Sequence, residues 1–354
     1  MKKIKNPFSF QVDYERDSIF QLASQKEKEE ETFMRPSTSF IGDAIRRFKR
    51  NKIAVVSFFF ILFILLCIII IPMVYPYGYE QQLGIQLGKP VDGSYNNLAP
   101  FTYGTTEMER IANGEFIWPH IFGTDGLGRD YFIRVIYGTR VSLIVGFFAA
   151  IVVLIIGTIY GSISAFAGGK VDMIMMRIVD VIYSLPDMVI IILLSVVLRK
   201  AFDFEGTIFE DLGPSLVSIF VVYALLYWVG MARLVRGQVL SIKQTEYVLA
   251  SRSIGSSTSF VIRKHIIPNC LSVIIVSATL QVPSAIFTES FLSFIGLGVS
   301  APMPSLGSLA SDAVASLSTK PYLLLAPAIF ICLIVLALNL TGDGLRDAFD
   351  PKQR

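Results

Sequence analysis

The sequence predicts an all-α polytopic membrane protein with six transmembrane helices. Its composition excludes an ordinary soluble protein, because 53% of the 354 residues are hydrophobic and only 17% are charged. A soluble domain carries about 25% charged residues, which it needs to cover its surface. The apolar residues also form six long runs, and an α-helix needs about 20 residues to cross a hydrocarbon layer of roughly 30 Å.

The first 52 residues predict a cytosolic tail followed by an interfacial helix. Residues 1–39 are polar and charged, and they contain no early apolar run of the kind found in a secretory signal. Over residues 40–52, apolar residues recur at helical spacing opposite a group of basic residues that begins at Arg46. This amphipathic pattern is typical of a helix that lies at the membrane surface.

The positions of charges and prolines predict the bounds of the spans. These bounds are 53–75, 141–167, 174–198, 213–233, 268–289 and 321–342. Continuous apolar runs of this length predict helices, since barrel strands alternate lipid-facing and lumen-facing residues. The polar residues 76–138 predict an extracytoplasmic segment, whose pattern identifies no fold. Residues 344–354 are predicted to form a C-terminal tail.

The distribution of Lys and Arg predicts the orientation of the helices. With the N-terminus in the cytosol, the inner segments hold 16 of these residues and the outer segments hold 8. Both termini are therefore predicted to lie in the cytosol. The formal net charge of +3 is too small to predict binding to nucleic acid.

Motifs for catalysis are missing from the sequence. It has no Gly-rich phosphate-binding loop, no nucleophile elbow and no set of His, Cys or carboxylates at metal-ligand spacing. Cys67, Cys270 and Cys332 lie inside apolar runs, where cysteine usually serves as a small packing residue. We therefore expect this chain to have no enzymatic activity alone and to bind no metal or cofactor.

The loop between the fourth and fifth spans is the most informative segment. Small and apolar residues recur in it at helical spacing, at Tyr247, Ala250, Ser251 and Ile254, and Gly255 follows. Small residues on one face of a short helix allow close approach to a partner surface, and glycine is suited to ending such a helix. The alternative is an amphipathic helix that lies on the membrane.

The same loop resembles the EAA loop of ABC importer permeases. The stretch Glu246-Tyr-Val-Leu-Ala-Ser-Arg-Ser-Ile-Gly255 is followed, after nine residues, by His265-Ile-Ile-Pro268-Asn269. The family's Glu-Ala-Ala triplet falls on Leu249-Ala250-Ser251, so no acid stands there, and Glu246 lies three residues earlier. The resemblance implies that residues 234–265 form a coupling loop that docks into a groove of a cytosolic ATPase subunit. The implied coupling residues are Glu246, Leu249, Ala250, Ser251, Arg252, Gly255 and Pro268.

Three further stretches resemble the oligopeptide, dipeptide and nickel importers of this family. They lie before the second span, between the fifth and sixth spans, and at the C-terminal end. They read Phe122-Gly-Thr-Asp125-Gly-Leu-Gly-Arg129-Asp130, Glu289-Ser-Phe-Leu-Ser-Phe-Ile-Gly296-Leu-Gly298 and Asn339-Leu-Thr-Gly-Asp343-Gly-Leu-Arg346-Asp347. Together they resemble the second, C-type, inner-membrane subunit of that group. This implies the ABC importer type I permease fold, with the permease domain over residues 139–343.

The resemblance also implies partners and a function. The partners are a second homologous permease subunit, two ATP-binding subunits that hold ATP and Mg, an extracellular substrate-binding protein, and membrane lipid. The implied function is ATP-driven uptake of oligopeptides by alternating access, with a dipeptide or a nickel complex as the alternative substrate. An ion-coupled secondary transporter is the alternative from a different class, and the long cytosolic loop with its docking pattern argues against it. A non-transporting membrane scaffold would leave the acids within the spans unexplained.

Two acidic residues in the third predicted span are candidates for the transport pathway. Acids inside a span are costly and usually face a cavity or a partner. Asp180 lies near the cytosolic end, where water and Arg177, three residues earlier on the same face, are expected to satisfy it. Asp187 follows Pro186 nearer the midplane, where the proline predicts a kink. Asp187 is expected either to face a cavity or to pair with another subunit.

Three charged residues of the outer segment, Asp125, Arg129 and Asp130, lie among glycines that predict turns. Two interpretations of these residues remain open. One is a local ion-pair network that shapes the segment. The other is direct contact with the substrate or with the binding protein.

Overall fold

The computed structural model of the chain describes residues 40–86, 89–90, 92–201, 213–299 and 301–349. Contacts between residues divide the chain into two units, Met1–Asp43 and Ala44–Arg354. In the first unit only the start of a helix is described, so the predicted tail at residues 1–39 lies outside the described residues. The second unit holds all of the apolar helices that follow.

Helices make up most of the described chain. In order they are α1 (Phe40–Arg50), α2 (Lys52–Val74), α3 (Thr105–Ala112), α4 (Tyr131–Ala167), α5 (Gly169–Tyr183), α6 (Asp187–Ala201), α7 (Gly213–Leu226), α8 (Trp228–Ile242), α9 (Glu246–Ser253), α10 (Thr258–Val261), α11 (Ile267–Phe294), α12 (Leu306–Val314) and α13 (Pro321–Phe349). A π turn, Ile262–Ile266, joins α10 to α11. In the outer segment, β1 (Ile85–Gln86) and β2 (Lys89–Pro90) pair antiparallel, with Ile85 opposite Pro90.

Five helical stretches among the described residues are long and apolar enough to cross a membrane. They are Lys52–Val74, Tyr131–Ala167, Leu216–Ile242, Thr258–Phe294 and Pro321–Phe349. A further crossing consists of two shorter helices, Gly169–Tyr183 and Met188–Val197, with a bend of 86° between them. The six predicted spans are therefore present when this bent pair is counted as one span.

The third predicted span, 174–198, is broken rather than kinked, because the chain leaves the helix between α5 and α6. Pro186 has no N–H, and a proline disfavours helical backbone at the residue before it, here Leu185. The carbonyl oxygen of Pro186 accepts hydrogen bonds from the N–H groups of Val189 and Ile190, at 3.0 and 3.2 Å. The proline therefore starts a new helix instead of bending an existing one.

Some helices extend beyond the predicted spans. α4 already begins at Tyr131, where the carboxylate of Asp130 accepts a hydrogen bond from the N–H of Ile133 at 3.0 Å. α13 continues to Phe349, into the predicted tail 344–354. The predicted spans stopped at the first charged residues. A helix backbone, in contrast, satisfies its own hydrogen bonds and continues outside the hydrocarbon until a cap ends it.

The central helix, α4, packs closely against α8 through two glycines. A Cβ at Gly157 would lie 2.6 Å from the Cβ of Met231, and a Cβ at Gly161 would overlap the carbonyl oxygen of Ala232. Two small residues four positions apart let helix backbones approach closely in a membrane, where packing replaces the hydrophobic driving force. This contact aligns α8, and with it the loop that follows α8, along the C-terminal half of α4.

The spans bury one side and expose the other. Near the outer segment, apolar side chains of α2, α11, α12 and α13 pack around α4. At the opposite end, a second cluster joins α4 to α8, α9 and α11. Large apolar residues such as Phe59 and Leu66 of α2 remain more than half exposed. Such exposure suits contact with lipid acyl chains, because the helix backbone needs no partner there.

Candidate functional site

Helix α9 is a short helix with a well-formed C-terminal cap. It follows Thr245, whose backbone is extended, and it ends at Gly255, whose φ is +85°. The N–H of Ser256 donates to the carbonyl oxygen of Ser251 at 3.2 Å, and the N–H of Gly255 donates to that of Arg252 at 3.0 Å. These two hydrogen bonds form the Schellman arrangement, in which a left-handed residue closes the helix. Glycine adopts this conformation without a steric cost.

The outward side of α9 carries apolar residues among polar ones. Tyr247 is 45% exposed, Leu249 50% and Ile254 84%, and Ala250 is exposed among them. We call these four residues the α9 surface. Exposed apolar residues grouped in one place are typical of a contact with another protein. Two further predicted coupling residues, Glu246 and Arg252, are also exposed.

The inward side of α9 contains one of the predicted docking residues. Ser251 is only 7% exposed, and its hydroxyl donates to the hydroxyl of Ser256 at 3.1 Å. Val248, on the same face, is fully buried. The predicted continuous face of small residues is therefore wrong for Ser251, because α9 packs this side against its own bundle. The sequence pattern did not show which side of so short a helix would turn inward.

Lys243 and Arg252 attach this region to the end of α4. The ammonium group of Lys243, just after α8, donates to the carbonyl oxygens of Ala165 and Phe166, at 3.1 and 2.9 Å. These carbonyls lie in the last turn of α4, which lacks intrahelical donors and carries partial negative charge. The guanidinium of Arg252 lies 5.2 Å from the ring centroid of Phe166, within the range of a cation–π contact.

An ion pair joins α5 to α8 at the same end of the bundle. Asp172 accepts two hydrogen bonds from the guanidinium of Arg236, both at 2.6 Å, and one from the hydroxyl of Ser164 at 2.5 Å. Paired hydrogen bonds of this kind fix the orientation of both groups. Since Ser164 belongs to α4, the ends of α4, α5 and α8 are held together beside α9.

Pro268 lies near the start of α11 and is exposed. A proline within a helix lacks an N–H and clashes with the carbonyl group four residues earlier, here that of Lys264. The π turn Ile262–Ile266 covers this position, and the N–H of Ile267 donates to the carbonyl of Ile262. A π turn has one more residue per hydrogen bond than an α turn. It therefore admits Pro268 without ending the helix.

The two candidate pathway acids lie on either side of the break in the third span. Asp180 pairs with Arg233 of α8, with 2.7 Å between Oδ1 and Nη2, and the guanidinium lies 4.1 Å from the ring centroid of Tyr183. The predicted pairing with Arg177 is wrong, because α8 brings a guanidinium directly to the carboxylate. Asp187 is the first residue of α6, and its side chain lies outside the described residues.

Asp125 and Arg129 close a tight loop in the outer segment. Nε of Arg129 lies 2.7 Å from Oδ2 of Asp125. The same carboxylate accepts hydrogen bonds from the N–H groups of Leu127 and Arg129, at 2.9 and 3.0 Å. The local ion pair predicted for these two residues is present, and it engages the carboxylate of Asp125 within its own loop.

A buried network centred on His120 lies next to this loop. Nδ1 of His120 is 2.7 Å from Oδ2 of Asp130, and Nε2 is 3.2 Å from Oε2 of Glu107. The hydroxyls of Tyr75 and Tyr77 donate to Asp130 and Glu107, at 3.1 and 3.3 Å. Because Asp130 also caps α4, the network ties α3 and the residues after α2 to the start of the second span.

The two carboxylates of this network keep His120 protonated. Burial by itself would lower the pKa of His120, but its hydrogen bonds to Asp130 and Glu107, together with their charges, raise that pKa to about 9. The ring is therefore protonated at neutral pH and lies between the two carboxyl groups. Within the part of the chain that the structure describes, no group of three or more His, Cys, Asp and Glu residues could hold a metal ion.

Comparison of the chain with family profiles identifies the family to which it belongs. The family described as "Binding-protein-dependent transport system inner membrane component" matches residues 157–354. The chain belongs to this family of permeases. A second family, described as "N-terminal TM domain of oligopeptide transport permease C", matches residues 39–100. The α9 surface of the permease lies in the first of these stretches, and Glu107, His120 and Asp130 lie between the two.

Known relatives of the permease match nearly its whole length. The dipeptide transport system permease protein DppC of Bacillus subtilis (strain 168) is 43% identical, over 96% of this chain and 94% of its own length. The oligopeptide transport system permease protein OppC of the same strain is 41% identical, over 95% and 98%. Among solved structures, a chain of an inward-facing MetNI methionine ABC transporter matches with 18% identity and a TM-score of 0.49, over 61% of this chain and 96% of that one.

The permease is thus a helical, multi-pass protein of the bacterial inner membrane. Its His120 network was not predicted from the sequence. His120 is 13 residues from Glu107 and 10 from Asp130, in a segment without periodicity. A histidine among several acids was the available signal, and nothing in their spacing indicated that the three side chains meet.

Proposed function

We propose that this permease is one of two membrane subunits of an ATP-driven importer that takes up oligopeptides. Two separate ATPase subunits, which bind ATP and Mg, supply the energy, and an extracellular binding protein delivers the peptide. The observation that carries the proposal is the α9 surface, an uncovered apolar patch on a helix that is attached to the ends of α4 and α8.

The properties of α9 favour an ATPase groove over the membrane surface as its partner. A helix that lies in the interface needs a long apolar stripe with basic residues on the opposite face. α9 has eight residues, and the basic residue in its last turn, Arg252, is directed toward the ring of Phe166. A protein groove, in contrast, can enclose a few apolar side chains such as Leu249 and Ile254 and remove them from water.

Coupling in this proposal is mechanical and needs no bond-making step in this chain. When the ATPase subunits close on ATP, they displace α9, and α9 is attached to α4 through Lys243 and Arg252. The ion pair between Asp172 and Arg236 extends the attachment to α5 and α8. Movement at α9 therefore tilts several spans together, which is how alternating access is driven from the cytosolic side.

The relatives support peptides as the substrate. Two permeases with similar identity to this chain are named for the transport of dipeptides and of oligopeptides. Oligopeptides are the first candidate, in agreement with the family profile over residues 39–100. Dipeptides are the second candidate, since the dipeptide permease of Bacillus subtilis (strain 168) is 43% identical to this chain.

Uptake of alanine peptides of increasing length tests this function. Cells lacking this subunit, with and without a restored copy, are given radiolabelled di-, tri-, tetra- and penta-alanine. We expect the restored copy to recover uptake of tri- to penta-alanine, and ATP depletion at a maintained ion gradient to abolish it. Recovery of di-alanine uptake alone would favour the second candidate. Uptake that survives ATP depletion would contradict the proposal and favour an ion-coupled transporter.

A further inference from the structure

A cavity of about 420 Å³ lies between the bend of the third span, the junction of α7 with α8, and α11. Its volume falls in the range of small-molecule sites, roughly 300–1,000 Å³. The cavity shares no residue with the α9 surface or with the His120 network. It therefore needs an explanation of its own.

The bend between α5 and α6 forms one wall of the cavity. Ile182 and Tyr183 before the break line it, and so do Met188 and Ile191 after the break. Backbone that leaves the helix at membrane depth is tolerated only where protein or a water-filled cavity faces it. The break thus favours a polar content of this cavity over lipid tails.

Helix α11 presents polar side chains to the same cavity. Gln281, Ser284 and Thr288 all line it, and their spacings of three and four residues place them on one face of the helix. The hydroxyl of Tyr227 donates to Oγ1 of Thr288 at 2.8 Å, and Thr288 donates to the carbonyl oxygen of Ser284 at 3.0 Å. These groups form the polar side of a cavity that is otherwise aromatic and aliphatic.

Gln281 contributes the one side-chain amide of this face. Its amide forms no hydrogen bond with any residue that the structure describes. An amide within a span is costly in hydrocarbon, and such side chains usually find a hydrogen-bonding partner. Because Gln281 lines the cavity, its amide is placed to form hydrogen bonds with the contents of that cavity.

The described lining of the cavity contains no charged residue. The guanidinium of Arg233 lies over the ring of Tyr183, which lines the cavity. This guanidinium is paired with Asp180, so the two charges neutralise each other. A free charge would lose its hydration here without gaining a counter-ion. The lining thus suits uncharged groups that donate and accept hydrogen bonds.

We infer that this cavity contacts the transported molecule and binds uncharged amide groups of the kind found in a peptide main chain. The inference rests on the proposed function, because it takes the transported molecule to be a peptide. The amide of Gln281 offers two N–H donors and one carbonyl acceptor, and so matches both the C=O and the N–H of a peptide unit. A site that binds main-chain groups accepts peptides with different side chains.

Variants of Gln281 test the hydrogen bonds. The complex of permeases, ATPase subunits and binding protein is reconstituted in proteoliposomes, and uptake of radiolabelled tetra-alanine is measured. We expect Gln281→Leu to raise KM about tenfold, the loss that one or two hydrogen bonds produce, with less effect on kcat. Gln281→Asn, which keeps the amide, should recover part of the loss. Asn113→Leu, which removes an exposed amide in the outer segment, is the control and should leave KM unchanged.

Two glycines of α8 test the occupancy of the cavity. A Cβ at Gly230 or at Gly237 would meet no other atom within 4 Å, so both positions have open space at the start of a new side chain. Only Gly230 lines the cavity. We expect Gly230→Leu to lower tetra-alanine uptake about tenfold by filling the space that the peptide occupies. Gly237→Leu is the matched control, with uptake and ATPase copurification at the wild-type level.

Wild-type uptake by both Gln281→Leu and Gly230→Leu would overturn the assignment of the cavity and leave the proposed function intact. A wild-type complex that takes up none of the alanine peptides would contradict the proposed function instead.

Should the variants fail to assemble, Ser284→Cys in a chain without the three native cysteines supplies a second measurement. A water-soluble thiol reagent should modify it, and saturating tetra-alanine with binding protein should slow the reaction. Equal rates with and without peptide would overturn the inference. Asn113→Cys, exposed in the outer segment, is the unprotected control.

Discussion

The outer segment and α9 lie at opposite ends of the bundle and differ in which kinds of side chain they bury and expose. In the outer segment, His120, Glu107 and Asp130 are buried and satisfy one another's charges. On α9, Leu249 and Ile254 remain exposed, although both would be stabilised by burial. The outer segment buries charged groups that water would solvate, and α9 exposes apolar groups that would be more stable away from water.

This difference separates what the chain completes alone from what it leaves to a partner. Buried charges are stable only when their counter-ions are in place, so the outer segment must be assembled within this chain. An exposed apolar patch costs little in a single chain and gains free energy when a second protein covers it. The outer segment therefore has the properties of a fixed structural element, and α9 those of a docking element.

The comparison requires that the outer segment and α9 face opposite sides of the membrane. Labelling of single cysteines in the two regions tests this topology with an all-or-none result. Asn113→Cys and Ser253→Cys are exposed positions in the two regions, and each is placed in a chain without native cysteines. In sealed cells, a membrane-impermeant thiol reagent should modify position 113 and not position 253. Equal labelling before lysis would contradict the predicted topology with both termini in the cytosol.

Removal of the buried cation should have the largest effect on stability. His120→Gln leaves Glu107 and Asp130 buried without a counter-charge, which costs about 3–5 kcal/mol. Hydrogen exchange at α3 and at the first turn of α4 should rise accordingly, while α9 is unaffected. His265→Gln, a partly exposed histidine, is the control. Unchanged exchange in His120→Gln would show that the network does not hold the outer segment.

The same network should be sensitive to alkaline pH. The folded-state pKa of His120 is about 9, above its ordinary value of about 6.5. Its stabilisation is therefore complete below pH 6.5 and is lost as pH rises through 9, for a total of about 3 kcal/mol. The protection factor in α3, which is the exchange rate relative to the intrinsic rate at the same pH, should fall over this window in the wild type and stay constant in His120→Gln. A parallel fall in both proteins would assign the pH dependence to another group.

A charge on the α9 surface should weaken binding of the ATPase subunits and leave the fold of this chain unchanged. Ile254→Glu places a carboxylate in the predicted docking contact, where central apolar residues commonly contribute about 2 kcal/mol, or roughly a 30-fold change in affinity. Copurification of the ATPase subunits should fall by that order, with normal membrane insertion. Asn113→Glu adds the same charge to the exposed outer segment, at the opposite end of the bundle, and should have no effect. Normal ATPase recovery with Ile254→Glu would move the docking site elsewhere.

The smallest effect is expected at the ion pair between Asp180 and Arg233. Both side chains are more than one third exposed, and exposed pairs contribute about 1 kcal/mol or less. A double-mutant cycle with Asp180→Asn and Arg233→Gln, read from thermal unfolding in detergent, should give a coupling energy within that limit. A coupling of several kcal/mol would indicate that this pair is buried in the assembled complex.

Local patterns predicted the helical fold class of this permease well. The apolar runs mark the spans because about 20 residues of helix must cross the hydrocarbon, whatever their neighbours are. The end of α9 was predictable for the same reason, since Gly255 adopts the left-handed conformation of a helix cap within one turn of chain. The π turn before Pro268 and the complete break at Pro186 were not anticipated, because a proline alone does not decide between a kink, a wider turn and a new helix.

The sequence by itself determined the membrane-spanning helices and the place of the short helix between the fourth and fifth spans, because hydropathy and capping act over a few neighbouring residues. The tertiary structure alone decided which side chains meet. Asp180 pairs with Arg233, 53 residues away, and not with Arg177 on its own helix. The ring of His120 contacts the carboxyl groups of Glu107 and Asp130. Ser251 is buried because the bundle covers that side of α9. Such pairings depend on how helices and loops pack in three dimensions, which the spacing of residues along the chain does not reveal.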